Sequence, residues 1–380
     1  MSVHSLRPKT HQTDSLIKER GLSGVDLTHN RSFRTVLRGL SVFLIRPRAA
    51  FALTSAALFT ATGRPTQFLK SVALIPRVLE IFKILERERP DVVHAFWSHY
   101  PSMVILLAQR YFPGMVTSIS FGAYDIAERY PLSGMVAREA DFVRTLANVN
   151  VAEVAKAFGL AAERLTVVYN GVDLSLVPPP QNRTPYSVLT AGRLVKTKGM
   201  ESVIRAFAKV QQRWPEATLT ICGSGPMWKT LHTLAEKCGV SKSVHFTGHL
   251  PQPDVFALMS KADVFLFLSE KTTERLPNVV KEAMVSGCVC VSSKTPGIEE
   301  LIDDGITGYL VPSNDIGAIV ERVDSLFSEL ASTARMRARA RAHIIKAFAL
   351  DVAIDRYLTL WPRLIAAKAQ VSLAKEIPKT

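Results

Sequence analysis

Cysteine is scarce in this chain. The 380 residues include four cysteines, at positions 222, 238, 288 and 290, all in the second half. They do not form the closely spaced pairs of a zinc site, and they are too few for the disulfide framework of a small secreted protein. Cys288 and Cys290 alternate along an apolar run, which predicts one face of a buried strand. We therefore expect reduced core residues of a cytoplasmic protein.

A hydrophobic run long enough to span a bilayer is also lacking. The most apolar early stretch, residues 40–59, is interrupted by Arg46, Pro47 and Arg48. The run after this interruption is about 11 residues long, against the ~20 that a spanning helix needs. The first twenty residues are polar, unlike a signal peptide. We expect a cytoplasmic protein whose membrane contact, if it has one, is peripheral on the inner face of the cell membrane.

Acidic residues are few relative to basic ones. The formal net charge is +14, and residues 1–90 hold 15 Lys and Arg against 6 Asp and Glu. Such a basic region attracts anionic partners, but the chain has no nucleic-acid motif and no basic patch interleaved with aromatic residues. Nucleic acid is therefore not an expected partner. A solvated surface and a surface for anionic lipid or a lipid-diphosphate acceptor both stay open.

The length and composition predict two globular domains. Hydrophobic residues make up 47% of the chain and charged residues 21%, which suits a protein with sizeable cores. Strand and helix patterns alternate, which predicts an α/β fold with parallel sheets and ligand sites at the carboxyl ends of strands. Strands are predicted at 91–96, 115–121, 142–146, 166–169, 186–191, 217–222, 244–247, 263–268, 288–293 and 309–311, with helices at 68–88, 101–111, 200–213 and 227–238 among those between them.

Prolines mark the predicted domain boundary. Pro178, Pro179 and Pro180 stiffen the chain and cannot continue a sheet. We predict an N-terminal domain over 1–177, a linker over 178–184 and a C-terminal domain over 185–348. A helix over 349–366 and a mobile tail over 367–380 would follow.

A basic loop follows the strand at 186–191 and precedes the helix at 200–213. Residues 191–199 read Ala-Gly-Arg-Leu-Val-Lys-Thr-Lys-Gly. Backbone amides and fixed cations at such a place suit a diphosphate, with Arg193 binding phosphate oxygens bidentately and Lys198 adding a point charge. Taken alone, the pattern also fits a solvated loop.

Two glutamates lie eight residues apart around a predicted helix start. Pro277 suits the first position of that helix, and the amides of Asn278 and Val279 would then face an anion. Glu282 lies about 7–8 Å further along the axis. Glu274 or Glu282 can contact a sugar hydroxyl and the other a ribose. Taken alone, they also fit ordinary surface residues.

A glycine pair ends the strand at 217–222. Gly223 and Gly225, in the order Gly-Ser-Gly-Pro, allow close approach of a ligand to the backbone. An ordinary strand-to-helix turn is the alternative.

Together, these patterns resemble retaining glycosyltransferase family 4, whose fold is called GT-B. The resemblance covers about residues 165–330 well and 90–165 more faintly. It implies two Rossmann-like domains facing across a cleft. The matching segments are the loop from Gly192 to Gly199, the turn at 223–226, the glutamates at 274 and 282, residues 305–312 (Gly-Ile-Thr-Gly-Tyr-Leu-Val-Pro) and, upstream, residues 169–173 (Tyr-Asn-Gly-Val-Asp).

The resemblance implies a role for each matching position. The donor would be a UDP-sugar or a GDP-sugar, bound without a metal or other cofactor, because enzymes of this fold need no Asp-x-Asp motif and none is present. The implied donor contacts are Gly192, Arg193, Lys198, Gly223 and Gly225 around the diphosphate, Asn278 and Val279 through their amides, Glu282 at the ribose, Glu274 at the transferred sugar, and His249 and Leu250 near the base.

The family is thought to retain the anomeric configuration by front-face attack, with the donor phosphate helping to take the acceptor proton. A departing diphosphate develops negative charge, which Arg193 and Lys198 would meet in a preorganised way. The implied catalytic residues are Arg193, Lys198, Glu274 and Asp125.

The first domain departs from the family pattern. We find no opening strand with a glycine-rich loop, and residues 16–29 resemble the end of the first helix. Gly122 stands where relatives carry a histidine, and Phe96 where they often carry a second one. Arg275 stands where glycine or proline is common. Acceptor-side candidates are His94, His99, Tyr124 and Asp125, with a purely structural role for the histidines as the alternative.

We therefore expect a retaining glycosyltransferase that moves a hexose from a nucleotide diphosphate sugar to a glycan or lipid-linked acceptor, in polysaccharide or glycoconjugate biosynthesis. Two alternatives stay open. One is a degenerate, non-catalytic GT-B protein that binds a nucleotide sugar or a partner enzyme. The other is a GT-B sugar-nucleotide epimerase.

Overall fold

The computed structural model describes residues 2–4, 6, 26–28, 39, 41, 43–60, 64–179, 181–330 and 333–376. These form two compact units. The first holds the described residues up to 146, residues 150–167 and those from 358 onward, and the second holds 147–149 and 168–357. The change after Val167 precedes the predicted boundary at 177, because Val172 pairs with Ala349 within the second unit. The predicted linker at 178–184 thus lies inside that unit.

A four-stranded parallel sheet forms the core of the first unit. Its order is that of the sequence, from residue 92 to residue 167, and its second strand is buried at every position. Such a run, apolar apart from Thr and Ser, is typical of a parallel strand covered on both faces. The strands of this unit are β1 (Ser2–His4), β2 (Asp26–Thr28), β3 (Val92–Ala95), β4 (Val116–Phe121), β5 (Phe142–Thr145) and β6 (Leu165–Val167).

The opening of the chain differs from the prediction. β1 and β2 pair in parallel as a separate two-stranded sheet. A strand is therefore present at the start, and residues 26–28 form a strand rather than part of a helix end. Among the described residues, neither strand joins the four-stranded sheet. Residues 16–25 of the predicted helix end lie outside the described part of the chain.

Helices cover the sheet of the first unit. Apolar residues at helical spacing form the helix predicted at 68–88, which runs on through Pro76. The sequence pattern does not reveal three further helices, at 47–60, 123–128 and 131–139. The helices are α1 (Pro47–Thr60), α2 (Pro65–Glu88), α3 (Ser102–Tyr111), α4 (Ala123–Glu128), α5 (Pro131–Glu139) and α6 (Val149–Phe158).

Six parallel strands form the sheet of the second unit. All ten strands predicted between residues 91 and 311 are present in the two sheets, with ends that agree within two residues. The strands here are β7 (Thr184–Ala191), β8 (Thr218–Cys222), β9 (Val244–Gly248), β10 (Ala262–Phe267), β11 (Val289–Ser293) and β12 (Tyr309–Val311).

The order of these strands creates a switch point. Across the sheet the order is β9-β8-β7-β10-β11-β12, the doubly wound order of dinucleotide-binding folds. The chain therefore leaves β7 toward one side and β10 toward the other. Ligands of such sheets bind at the carboxyl ends of the strands beside this point, which here are the loops that follow Ala191 and Phe267.

Helices on both faces bury two separate apolar clusters in this unit. Cys288 and Cys290 both lie in the second cluster, as free thiols. Burial raises the pKa of the Cys288 thiol to about 11, which keeps it protonated and unreactive. The helices are α7 (Met200–Arg213), α8 (Trp228–Lys237), α9 (Gln252–Lys261), α10 (Asn278–Val285), α11 (Ile316–Ser328) and α12 (Thr333–Phe348).

The last helix, α13, extends over Leu350–Glu376. The predicted tail from residue 367 is therefore wrong as far as Glu376, and Lys368 forms an ion pair with Asp141. Residues 377–380 of the predicted tail lie outside the described part of the chain. No helix in the described ranges combines the length and apolar character needed to cross a bilayer.

A row of polar side chains crosses the sheet of the first unit. The Nδ1 atom of His94 lies 2.7 Å from the hydroxyl of Ser118, and Nε2 lies 3.3 Å from that of Ser120. Arg144, 3% exposed, donates to the same Ser120 hydroxyl. Burial and the nearby Arg144 charge lower the pKa of His94 to about 4. The imidazole is therefore neutral at pH 7.

We predict that His94 does not titrate near its ordinary pKa. In the folded protein its ring signals should stay constant from about pH 7.5 to about pH 5, assigned by their loss in His94→Gln. The measurement is an NMR spectrum of histidine-labelled protein. Because the unfolded chain takes up this proton below about pH 6.5, unfolding free energy should fall as the pH falls through that window, and less so in the variant. A midpoint near the ordinary value would contradict the prediction.

Candidate functional site

Three loops meet at the carboxyl ends of β7, β8 and β9. The Gly192 amide donates to the Cys222 carbonyl at 2.9 Å, and the Gly223 amide donates to the Gly248 carbonyl at 2.8 Å. The Leu194 amide reaches across to the Ser224 carbonyl at 3.0 Å. The predicted basic loop and the predicted glycine turn are therefore joined backbone to backbone.

Glycine is required where these loops touch. A Cβ atom at Gly223 would lie 1.9 Å from the Gly192 carbonyl oxygen, and the φ angle of Gly223 is +139°. A Cβ at Gly225 would lie 2.4 Å from the Leu194 carbonyl oxygen. Neither distance is sterically possible without movement of the backbone. The close approach predicted for a ligand is thus, first of all, an approach of one loop to the other.

Lys198 and Glu274 form the central ion pair of the site. The ammonium of Lys198 donates to both carboxylate oxygens of Glu274, at 2.6 and 2.7 Å. The hydroxyl of Ser269 donates to the same carboxylate at 2.9 Å. Both charged side chains are mostly buried, so the contact exceeds an exposed surface pair in strength. Two residues 76 positions apart in the chain are brought together.

Close packing against the end of β10 holds Lys198 in place. Lys198 ends a short 3₁₀ turn, and a Cβ at Gly199 would lie 1.9 Å from the Leu268 carbonyl oxygen. The Lys198 ammonium also lies 5.4 Å from the ring centre of Phe267, a distance that permits a cation–π attraction. The cation is therefore fixed at the switch point between β7 and β10.

The N-terminus of α10 faces the same edge. Pro277 is the residue before the helix rather than its first residue, and the Val280 amide bonds to its carbonyl. In the described part of the chain, no bond within the backbone engages the amides of Asn278 and Val279. Such amides are an anion site.

A buried lysine supports this helix start. Lys281 is 1% exposed, and its ammonium donates to the Asn170 carbonyl and to the Asn278 side-chain oxygen, at 2.9 and 3.1 Å. Lys281 thereby connects the start of α10 to the segment at 169–173.

Glu282 contacts the segment that follows β9. The side-chain amide of Gln252 donates to Glu282 at 2.8 Å. Gln252 begins α9, two residues after Leu250, which is half-buried, while His249 is exposed. The structure thus brings the predicted ribose contact next to the predicted base segment.

Arg193 and Arg275 behave differently from each other. Arg193 is exposed, on the loop that carries Lys198. Arg275 is half-buried and donates to the Thr272 carbonyl of its own loop. A cation after Glu274 is expected from the sequence to alter the sugar pocket or pair with the donor. In the structure, the bond from Arg275 to Thr272 stabilises the loop that holds Glu274.

Asp125 is enclosed in the first unit. It is 1% exposed and accepts the amides of Ser98 and His99, the Nδ1 atom of His99 and the amide of Gly122, all within 3.1 Å. The predicted catalytic role is therefore corrected. A carboxylate with four such donors positions its neighbours, and here it orients the ring of His99.

Trp97 fills the place of the missing histidine. A Cβ at Gly122 would lie 2.8 Å from the Trp97 ring, so any side chain there would displace the indole. Tyr124, 47% exposed, packs edge to face with His99 at 5.5 Å. His99 and Tyr124 are thus brought together, whereas His94 lies in the polar row of the sheet.

Sequence reasoning missed Ser269, Gln252, Lys281 and Trp97. Ser269 and Gln252 each had a positional signal, because both lie just beyond the carboxyl end of a strand at the edge where ligands bind. Lys281 had a weaker signal, as a lysine within the apolar pattern of α10. In the described ranges, no cluster of three or more His, Cys, Asp or Glu side chains could hold a metal ion.

Comparison with known proteins agrees with this architecture. Residues 177–343 match the family described as "Glycosyl transferases group 1", and residues 35–176 match "Glycosyltransferase Family 4". The two matches meet where the predicted domain boundary lies and together cover most of the chain.

Similar proteins are glycosyltransferases by name. Glycogen synthase of Mycobacterium tuberculosis is 29% identical over 300 residues, covering 75% of this chain and 69% of that protein. The GDP-mannose-dependent alpha-(1-6)-phosphatidylinositol monomannoside mannosyltransferase of Mycolicibacterium smegmatis is 30% identical over 222 residues, covering 54% and 58%. The crystal structure of Anabaena HepE with UDP matches with a TM-score of 0.64 at 20% identity, covering 75% of this chain and 82% of that one. The chain belongs to glycosyltransferase family 4 and is a glycosyltransferase of the GT-B fold.

Proposed function

We propose that this enzyme transfers a hexose, with retention of configuration, from a nucleoside diphosphate sugar to a glycan or lipid-linked acceptor. The donor would bind along the carboxyl edge of the second unit's sheet without a metal ion. The reaction would serve the assembly of a polysaccharide or glycoconjugate on the cytoplasmic side of a membrane. One observation carries the proposal, namely the doubly held ion pair of Lys198 and Glu274 at the switch point.

The ion pair fits the covalent structure of a sugar nucleotide. In such a donor the transferred sugar is bonded directly to the second phosphate. A group that binds the sugar hydroxyls and a cation that binds this phosphate must therefore be neighbours. Glu274 and Lys198, to which the family resemblance gives these two roles, are in direct contact.

The remaining contacts follow the same order. Base, ribose, diphosphate and sugar are linked in a line. Along the site, Leu250 and Gln252 lead to Glu282, and the amides at the start of α10 lie on the same helix as Glu282. Lys198 and Glu274 follow. This order supports a donor with its base near residue 250 and its sugar near residue 274.

Leaving-group stabilisation is the proposed main source of catalysis. When the sugar departs, negative charge grows on the diphosphate, and preorganised cations and amides lower the energy of that state. Lys198 is preorganised by Glu274, and the α10 amides by their helix. Arg193 adds a second cation from the same loop as Lys198.

We predict that Arg193→Ala lowers kcat by roughly 10²–10³-fold, the scale of losing one oxyanion-stabilising group. Donor binding should weaken less than turnover, because the charge that Arg193 meets grows in the transition state. Steady-state kinetics with the preferred donor provides the measurement. Arg205→Ala, which removes an exposed cation of α7, is the matched control and should keep wild-type rates. Wild-type turnover in Arg193→Ala would remove this residue from the mechanism.

We predict that Glu282→Ala weakens donor affinity by about 10–100-fold, the value of a hydrogen bond to a charged group. Gln252→Ala should weaken it less, because Gln252 acts by orienting the Glu282 carboxylate. Calorimetric titration with the donor measures both effects. Glu236→Ala, at an exposed site on α8, serves as the control. Equal affinities for wild type and Glu282→Ala would disprove the ribose contact.

The donor base is tested by thermal shift with UDP- and GDP-sugars, each with and without a chelator. HepE was solved with UDP, and the mycobacterial mannosyltransferase is named for GDP-mannose, so both bases belong in the screen. At a hundredfold excess over Kd, the true donor should stabilise the protein by about 2.7 kcal/mol. A shift that survives chelation identifies the base and supports a metal-free site. A shift that the chelator abolishes would contradict it.

Retention is tested on the product once the donor is known. A donor of defined α configuration should yield an α-linked product, recognised by the coupling constant of the anomeric proton in NMR. A β-linked product would show inversion and refute this part of the proposal.

A further inference from the structure

Helix α1 has its large and small side chains on the opposite faces from those expected. The face that packs into the first unit consists mainly of alanines, with Leu53 and Thr60. The outward face carries Phe51, which is 71% exposed, Leu58, 58% exposed, and Phe59, 56% exposed. Positions 51, 55, 58 and 59 share one face of a helix. A helix that simply faces water carries polar residues there.

Neighbouring residues enlarge this surface. Leu44, just before α1, is 83% exposed, and Phe43 and Ile45 beside it are exposed as well. On α2, which packs against α1, Leu69 and Val72 are exposed. We call these eight residues, Phe43, Leu44, Ile45, Phe51, Leu58, Phe59, Leu69 and Val72, the apolar face. They make up nearly half of the large exposed apolar side chains in the described part of the chain.

The charges around the apolar face are of one sign. Residues 27–79 contain eight Lys and Arg and no Asp or Glu. Arg48 and Lys70 are exposed. Arg46 pairs with Glu86, and Arg64 donates to the carbonyls of Glu128 and Arg129, which keeps its own charge unneutralised.

We propose that the apolar face docks on an anionic lipid bilayer, with α1 lying in the plane of the interface. At 1.5 Å per residue, its 14 residues span about 21 Å, less than the ~30 Å hydrocarbon thickness. Large apolar side chains on one face, flanked by cations, are the features of an interfacial helix. The cations add attraction to anionic headgroups.

Charge argues for lipid over a second copy of this chain. Two copies joined through the apolar face would bring two sets of cations together with no acidic residue from 27 to 79 to neutralise them. An anionic bilayer neutralises the same cations. The inference does not depend on the donor or acceptor, since it uses no residue of the second unit.

The test is co-sedimentation of the full chain with vesicles. One set is pure phosphatidylcholine and the other contains roughly 30% phosphatidylglycerol. We expect binding to the anionic vesicles and little to the neutral ones. The triple variant Phe51→Ser, Leu58→Ser and Phe59→Ser should lose at least about tenfold in affinity. The pair Arg48→Glu and Lys70→Glu should lose about 25-fold, at about fivefold for each cation near the surface.

Matched controls separate docking from general stickiness. Leu358→Ser removes an apolar side chain of α13 that is 62% exposed, and Lys229→Glu and Lys237→Glu reverse exposed charges on α8. These variants should bind as wild type does. Equal melting temperatures establish that all variants are folded.

Three results would overturn the proposal. The first is equal vesicle binding by wild type and the triple variant. The second is binding that is indifferent to lipid charge. The third is an absence of vesicle binding together with a dimer, seen by sedimentation velocity, that the triple variant loses. The third result would assign the apolar face to contact between copies.

Discussion

Backbone contact between the loops after β7 and β8 is the constraint on which the candidate site depends. The two loops share hydrogen bonds at Gly192 and Leu194, and they approach so closely that no Cβ fits at Gly223. This contact fixes where the basic loop leaves the sheet. A second close approach, of Gly199 to Leu268, fixes where the loop ends. Lys198, one residue earlier, is thereby held against the loop that carries Glu274 without help from its own flexible side chain.

The glycines of the second unit therefore act on chemistry through geometry. None of them supplies a charge, yet each removes the side chain that would separate one loop from the next. A substitution at Gly223 would displace the cationic loop before it affected any ligand directly. This explains why the motif in the sequence alternates glycine with basic residues.

The sequence predicts the strands of both units well and the covering elements less well. Strands buried on both faces are continuous apolar runs, and their signal does not depend on neighbours. Helix α1 was missed because its apolar residues lie on both faces, so its pattern lacks the usual alternation. The extension of α13 to Glu376 was missed because lysines near a terminus also suit a tail. Lys368 pairs with Asp141, a contact between positions 227 residues apart that local pattern cannot reveal.

The candidate site shows the same limit at the level of single residues. The glycines and charged residues of the donor loops were found because their order along the chain is itself the motif. The bond from Lys198 to Glu274 was not predicted, since it depends on the crossing of the chain at the switch point. The enclosure of Asp125 was also missed, because a carboxylate in an Ala-Tyr-Asp segment can equally face water. Its four donors include two backbone amides, at Ser98 and His99, whose position no sequence motif reports.

Charge balance explains why the site needs Arg193 as well as Lys198. Without donor, Lys198 is neutralised by Glu274, so this pair contributes little net field. The start of α10 contributes about half a positive charge. A diphosphate brings more negative charge than that, and its charge increases as the sugar departs. Arg193 is the nearby cation of the basic loop that stays exposed, with no carboxylate partner in the described part of the chain. Lys198 then positions the phosphate next to the sugar, and Arg193 supplies the uncompensated positive charge that draws the donor in and meets the leaving group.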